Sequence, residues 1–429
     1  MKELKVVIAG IGTVGSGVLS ILLKNNTEIN KKLGKKLKIV AVASRRKIKD
    51  KLPKNTKIFK DAKNLLTFKE YDILIELIGG DEGIAKEIVF DALNKKKNVI
   101  TANKALISKY GSRLAKLSEK NNCFLGFEAS VAGGIPIIQI IKDFLLSNNI
   151  SKIFGILNGT ANFILTRMYE TGKDFKEILK QAQKLGYAES DPKFDIDGTD
   201  TAHKLSILST LAFGSEIDLK NIFKRGIEDI DLIDIKLFDS LGYKVKLLGI
   251  TEKKNNQISQ YVYPCLVKKD SILANVDDAF NGVLVESDFS KKLSFQGEGA
   301  GAYPTATSVL SDLTNYCRSN NRNIFNLKSN DLKKTSKLSI NKRFGSYYLR
   351  FLTIDKPGVI ADISKEFKKF HISMKSMLQE DKKSNMKKEA IIVVTTHDCF
   401  EEKMMSALKK IDLLDFVIKK TVFYRIEKV

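Results

Sequence analysis

Histidine and cysteine are scarce in this chain, at three and four among 429 residues, and proline is nearly as rare at six. His203, His371 and His397 are too few to build the usual zinc constellations. Cys123, Cys265, Cys317 and Cys399 are scattered without CxxC spacing, which fits reduced thiols and not a disulfide framework. Long apolar runs are missing as well. No stretch reaches bilayer-spanning length, and MKELKVVIAGIG enters a strand-like run without an apolar leader and cleavage site. A cytoplasmic protein without a membrane partner is expected. Lysine, by contrast, is abundant, and the formal net charge is +23. A basic chain can serve nucleic acid, but these lysines are spread over the whole length among many Asn and Ile residues. No aromatic-rich RNA motif or basic recognition helix accompanies them, so no nucleic-acid partner is expected. The length suits two or three domains, and 43% hydrophobic with 29% charged residues is a globular composition.

Through the first 130 or so residues, short apolar runs alternate with helical patterns. The runs are Lys5–Ala9, Lys38–Ala43, Asp72–Ile78, Asn98–Thr101 and Phe124–Phe127. Such alternation implies a parallel sheet covered on both faces, an α/β nucleotide-binding domain of Rossmann type over residues 1–135, to which 297–325 is expected to return. Residues 136–296 read as an α+β catalytic and dimerisation domain, with longer helices and then strands near Lys244–Ile250 and Ile258–Val267. The Lys/Ser/Asn-rich stretch Lys328–Lys342 reads as a linker, within bounds of 327–345, that leaves the last domain separable. Residues 346–429 then show strand Tyr347–Ile354, helix Val359–Phe370, strand Ile372–Gln379, a charged loop, strand Ala390–Thr395, helix Cys399–Ile411 and strand Phe416–Arg425. That order is βαββαβ, an independent ferredoxin-like unit.

The first strand runs into GIGTVG, with Gly10, Gly12 and Gly15 at G-x-G-x-x-G spacing, Thr13 and Val14 between them, and a helix following. Gly10 permits the turn, Gly12 leaves room for a pyrophosphate, Gly15 lets helix and strand pack, and the helix N-terminus faces the phosphates. Glycines also serve ordinary turns; the placement between first strand and first helix is what points to a dinucleotide. The second strand ends Val42-Ala43-Ser44-Arg45-Arg46, without the acid that usually holds the ribose hydroxyls of NAD. Ser44, Arg45 and Arg46 suit a 2′-phosphate, hence NADP with NAD as the alternative, unless the arginines are simply solvated.

Five carboxylates, Glu189, Asp191, Asp195, Asp197 and Asp200, crowd into twelve residues before a helix on which Asp200 and Lys204 stand four apart. Such a pair is commonly an exposed contact worth roughly 0.3–0.5 kcal/mol. Here Lys204 aligns with Ile207, Leu208 and Leu211, so its face should point inward. A lysine held among acids at a domain junction is a candidate general acid, and a second lysine nearby would lower its pKa. Lys104, in VITANKALIS, follows the C-terminal end of a strand, where open α/β sheets bind their ligands.

With GFEASVAGGIPII at 126–138, LGYAESDPKFDIDGTDTAHKLSIL at 185–208 and QGEGAGAYPTATSVLSD at 296–312, the chain closely resembles homoserine dehydrogenase over essentially residues 1–320. The resemblance implies NAD(P)-dependent interconversion of aspartate semialdehyde and homoserine. It implies Lys204 as proton donor and acceptor, Lys104 lining the nicotinamide and substrate site, and Glu189 and Asp200 holding the substrate amino group with Asp195 in the same cluster. It places Gly186 and Gly301 near the cofactor. It also implies a sodium or potassium ion surrounded by Glu128, Val131, Gly133 and Ile135, largely through backbone carbonyls, although a glycine-rich turn needs no ion. Residues 346–429 resemble an ACT domain on the strength of FLTIDKPGVIADIS. Such domains pair through their sheets and bind amino acids at the pair interface, which implies a homodimer or homotetramer and an effector, threonine, at Asp355, Gly358, Val359 and Ile360. A dimerisation module without ligand is the alternative. Aspartate-semialdehyde dehydrogenase chemistry would need a thiolate with a base, and neither Cys123 nor Cys265 has a histidine near it in sequence. A silent nucleotide and amino-acid sensor would not need the two lysines and the acids.

Overall fold

A computed structural model describes residues 2–49, 51–318, 323–382 and 389–429. Six parallel strands open the chain: β1 (Lys2–Ala9), β2 (Lys35–Ala43), β3 (Lys57–Phe59), β4 (Ile73–Glu76), β5 (Asn98–Thr101) and β6 (Leu125–Gly126). Their order, β3-β2-β1-β4-β5-β6, is that of a doubly wound dinucleotide-binding sheet, with a reversal between β1 and β4 that opens a crevice at their C-terminal ends. Along β1, Val6 and Ile8 enter one apolar cluster and Val7 and Ala9 another, so the sheet is buried on both faces. The edge strand β3 was not among the expected runs, because Lys57-Ile58-Phe59 is too short to show a pattern. Strand β4 is shorter than the apolar run Asp72–Ile78, because Glu76 folds its side chain back onto the amides of Ile78 and Gly79 and turns the chain off the sheet. Helix Ala302–Arg318 returns to this domain, where Ala306, Val309 and Leu313 pack with Val6, Ile8, Val18 and Leu22.

The middle of the chain adds β7 (Ile150–Ile156), β8 (Phe223–Lys224), β9 (Tyr243–Lys254), β10 (Gln257–Lys268), β11 (Phe280–Ser287) and β12 (Lys292–Glu298). The expected β9 and β10 form a long hairpin, and β7, β11 and β12 extend its sheet in the order β12-β11-β7-β9-β10. Helix Thr199–Phe213 lies over this sheet. Thr201 and Leu205 sit where a side chain on Gly249 of β9 would be, and Ile207, Leu208 and Leu211 are buried.

The remaining strands are β13 (Ser336–Lys337), β14 (Phe344–Ile354), β15 (Met374–Lys382), β16 (Glu389–Thr396), β17 (Cys399–Phe400) and β18 (Val417–Ile426), with helices Val359–Lys369 and Glu401–Ile411. The βαββαβ order stands, with sheet order β18-β14-β16-β15. Most of the lysine-rich loop between β15 and β16 lies outside the described residues. Independence of this unit is the expectation that needs correcting. Strand β18 pairs parallel to β10, Cys265 with Arg425 and Leu266 with Ile426, so one sheet runs through both domains. Arg350 grips buried Asp234 with two bonds of 2.6 and 2.8 Å, and Tyr263 donates to Glu427 at 2.9 Å. Losing one member of such a buried ion pair costs about 3–5 kcal/mol. The Lys328–Lys342 stretch is docked, not free: β13 pairs with β10, Ser329 donates to Glu119, and Tyr261 donates to the carbonyls of Leu338 and Ser339.

Candidate active site

The sequence folds the two lysines toward each other from opposite domains. Asn103 caps helix Lys104–Lys120 by accepting from the Leu106 amide at 3.0 Å, which places Lys104 on the first turn at the C-terminal edge of the parallel sheet. From the other side, helix Thr199–Phe213 presents Asp200 and Lys204 on one face. The Asp200 carboxylate, almost wholly buried, sits between the ammonium groups: Oδ1 is 2.8 Å from Lys104 Nζ and Oδ2 is 2.8 Å from Lys204 Nζ. Lys204 also donates to the Leu157 carbonyl at 2.6 Å. Two of its three N–H bonds are therefore fixed, and the third is left for a ligand.

Burial lowers the Lys204 pKa from its ordinary value; Asp200 opposes this and the charge of Lys104 adds to it. Burial acts the same way on Lys104, but Asp200, Asp195 and Glu189 outweigh it and raise that pKa. Asp200 itself is held well below the usual carboxylate range, because both lysines overcome the burial penalty. The two lysines are thus pushed in opposite directions, a division typical of acid–base sites.

Asp195 joins this group through Asn158, whose amide donates to Asp195 Oδ1 and Asp200 Oδ2 at 2.8 Å each. Sequence reasoning missed Asn158, which lies in no acid cluster; its signal is Asn-Gly at the start of a helix, and its Oδ1 caps Ala161 at 2.7 Å. It also missed His203, one residue before Lys204, whose Nδ1 lies 2.6 Å from the Ser108 hydroxyl on the Lys104 helix. Burial lowers the His203 pKa. Glu189 is exposed and meets the cluster through its charge on Lys104.

The nucleotide loop is built at the end of β1. Gly10 has φ +96° and a Cβ there would lie 2.7 Å from the Leu77 backbone; a Cβ on Gly15 would lie 2.0 Å from the Gly10 carbonyl. At Gly12 the space a Cβ would enter is open, and Thr13 and Val14 begin helix Thr13–Lys24. These are the turn, the open approach and the tight packing that a pyrophosphate cradle requires. The Gly10 amide donates to Ala43 at 2.9 Å, which brings the end of β2 alongside. There Ser44 hydrogen-bonds the Arg46 backbone, and Arg45 and Arg46 are exposed. Gly301, at φ +113°, precedes Ala302, whose carbonyl packs against Gly17 of the first helix. Gly186 caps helix Phe175–Leu185 in a left-handed turn.

Glu128, Val131, Gly133 and Ile135 lie on one tight loop, turned by left-handed Ala132 and Gly133. Both oxygens of Glu128 accept amides, from Ile138 at 2.9 Å and Gln139 at 2.8 Å, and its carbonyl accepts the Val131 amide at 3.4 Å. Burial holds Glu128 and Asp312 well above the usual carboxylate range. Asp355, Gly358, Val359 and Ile360 stand apart in the C-terminal unit. Gly358, φ +93°, starts helix Val359–Lys369, with Asp355 exposed before it.

Comparison with known proteins bears on this geometry. The family model for homoserine dehydrogenase matches residues 136–314, and that for the homoserine dehydrogenase NAD binding domain matches 10–128. A homoserine dehydrogenase of Neisseria gonorrhoeae is 38% identical over 435 residues, covering 100% of this chain and 99% of that protein. One of Pseudomonas aeruginosa is 35% identical with both chains covered at 100%. The crystal structure of a homoserine dehydrogenase from Thiobacillus denitrificans superposes with a TM-score of 0.93 at 37% identity, covering 100% of this chain and 99% of that one. A hyperthermophilic archaeal homoserine dehydrogenase in complex with NADPH matches at a TM-score of 0.62 and 26% identity, over 73% of this chain and 97% of that one. With full-length relatives above 30% identity, a matching nucleotide-binding domain and two lysines facing each other across its crevice, the chain belongs to the homoserine dehydrogenase family of NAD(P)-dependent oxidoreductases.

Proposed function

We propose that this enzyme interconverts aspartate semialdehyde and homoserine with Lys204 as the proton donor and acceptor, NADP as the favoured cofactor, and threonine as an effector. The observation that carries the reading is the Asp200 carboxylate shared by two lysines of opposite domains. A bound reduced nicotinamide supplies the hydride that the aldehyde carbon accepts. The protein's part is to orient the substrate and manage one proton. The third N–H of Lys204 protonates the carbonyl oxygen as negative charge builds on it, and the fixed charge of Lys104 stabilises that oxygen. Glu189 and Asp195, with the remaining lone pair on Asp200 Oδ1, hold the substrate ammonium group, and Asn158 keeps Asp195 and Asp200 in place. In the reverse direction neutral Lys204 takes the proton from homoserine, which its lowered pKa favours.

The carbonyls of Glu128, Val131, Gly133 and Ile135 suit a weakly charged hard cation, sodium or potassium, which would brace the loop between Glu128 and helix Ala302–Arg318. Exposed Arg45 and Arg46, at the end of β2, support a reading in which they meet a 2′-phosphate. The Gly358 turn offers free amides at a helix N-terminus to an amino-acid carboxylate. Because β18 and β10 share a sheet, an effector bound there has a direct route to the catalytic domain, and a coupling of roughly 1–3 kcal/mol would suffice to inhibit.

Three outcomes are expected. Lys204→Ala lowers kcat roughly 10²–10⁴-fold while leaving NADP affinity unchanged, measured at 340 nm; a kcat within about threefold of wild type contradicts the assignment. Changing Arg45 and Arg46 to Ala weakens NADP binding by up to about 1.5–3 kcal/mol per arginine and leaves NAD binding nearly unchanged; equal losses for both cofactors contradict the 2′-phosphate role. Millimolar threonine inhibits the full-length enzyme, and Asp355→Ala relieves it; a wild-type rate insensitive to threonine removes the effector role.

A further inference from the structure

Glu76, the last residue of β4, is buried completely among neutral donors. Its Oε1 accepts the amides of Ile78 and Gly79 at 2.7 and 3.0 Å, and its Oε2 accepts the Thr101 hydroxyl at 2.5 Å. A buried carboxylate in such company is costly: burial raises the Glu76 pKa, and these bonds only partly offset it. What they hold is specific. Residues 77–80 are pressed against the nucleotide loop: the Leu77 amide donates to Ala9 at 2.7 Å, and the Leu77 carbonyl occupies the place of a side chain on Gly10.

On the other side, the single hydroxyl proton of Thr101 is committed to Glu76, so its lone pairs face the Asn103 amide, which donates at 3.0 Å. Asn103 then caps the helix that begins at Lys104 and donates from Nδ2 to the Gly80 carbonyl at 2.5 Å. The path Glu76–Thr101–Asn103 therefore sets the first turn of the helix from which Lys104 reaches Asp200 across the crevice.

We infer that Glu76 is a positioning residue that acts through Thr101 and Asn103 to aim Lys104 at Asp200, registering it against the nucleotide loop. The inference rests on the reading of Lys104 as part of the catalytic group. Misplacing a reacting group by about 1 Å can cost up to a hundredfold in rate, so small shifts at the helix start should be felt in kcat.

The test uses the full-length enzyme and a Thr101 series, because Glu76→Gln could compromise folding. Thr101→Val, which keeps the shape and loses the hydroxyl, should lower kcat roughly ten- to a hundredfold with KM for aspartate semialdehyde little changed, and should lower the melting temperature somewhat by leaving Glu76 Oε2 unbonded. Thr101→Ser should restore it to within about twofold, and Glu76→Gln, where it folds, should match Thr101→Val. In a Lys104→Ala background, Thr101→Val should add less than about twofold, because its route of action is gone. The inference is overturned if Thr101→Val retains wild-type kcat, if Thr101→Ser is equally impaired, or if the valine costs as much without Lys104 as with it. A Lys104→Ala enzyme with wild-type kcat would instead defeat the catalytic reading of Lys104, a distinguishable result.

Discussion

A carboxylate buried between two ammonium groups is the constraint on which this active site depends. Asp200 is nearly inaccessible to solvent, and so is Lys204, one helical turn further on. Either charge alone would be expelled from such a place or neutralised. Together with Lys104, the Leu157 carbonyl and the Asn158 amide they form a satisfied group, and each partner comes from a different element: the parallel domain's helix, the end of β7 and the helix start beyond it. Two domains must therefore meet in one register for the charges to balance. The site thus doubles as a tie between the domains, and the Ser108–His203 bond one turn along is a second tie on the same two helices.

The same logic recurs at the C-terminal unit. Its attachment rests on the β10–β18 pairing, on Asp234 paired with Arg350 across the boundary, and on the Tyr263 hydroxyl bonded to Glu427, which Arg343 neutralises. Arg425 lies 4.5 Å from the Tyr263 ring centroid and is bonded to Glu401, so one guanidinium serves both units. A unit attached this way shares the sheet under helix Thr199–Phe213, whereas one on a free tether would not.

Much of this was legible in the sequence because it rests on local patterns. The alternation of apolar runs and helices, the glycine spacing at 10–15 and the inward-facing Lys204 each need only a short window, and they placed the parallel sheet, the tight glycine turn and the buried face of helix Thr199–Phe213. The relations that were not legible are long-range. Nothing near Lys328–Lys342 signals that β13 will pair with β10, since its composition is that of any polar connection. Cys265 and Arg425 lie 160 residues apart in sequence and meet only through sheet register. Asn158 and Glu76 escaped because each is a single polar residue in an apolar or glycine-rich setting, and its importance appears only once its hydrogen-bond partners are known.

The pH dependence of homoserine oxidation in Asp200→Asn tests the central electrostatic claim most directly. The substitution keeps size while removing the larger of the two negative charges, Asp200 and Asp195, that raise the pKa of Lys204 against burial and Lys104. With Lys204 in the proposed role, oxidation would need it neutral, and the rate would climb as pH rises through that pKa. Without Asp200 the pKa should fall further and the rising limb of kcat should move to lower pH, with a reduced plateau from lost alignment. A limb that stays in place, or moves to higher pH, would contradict the account.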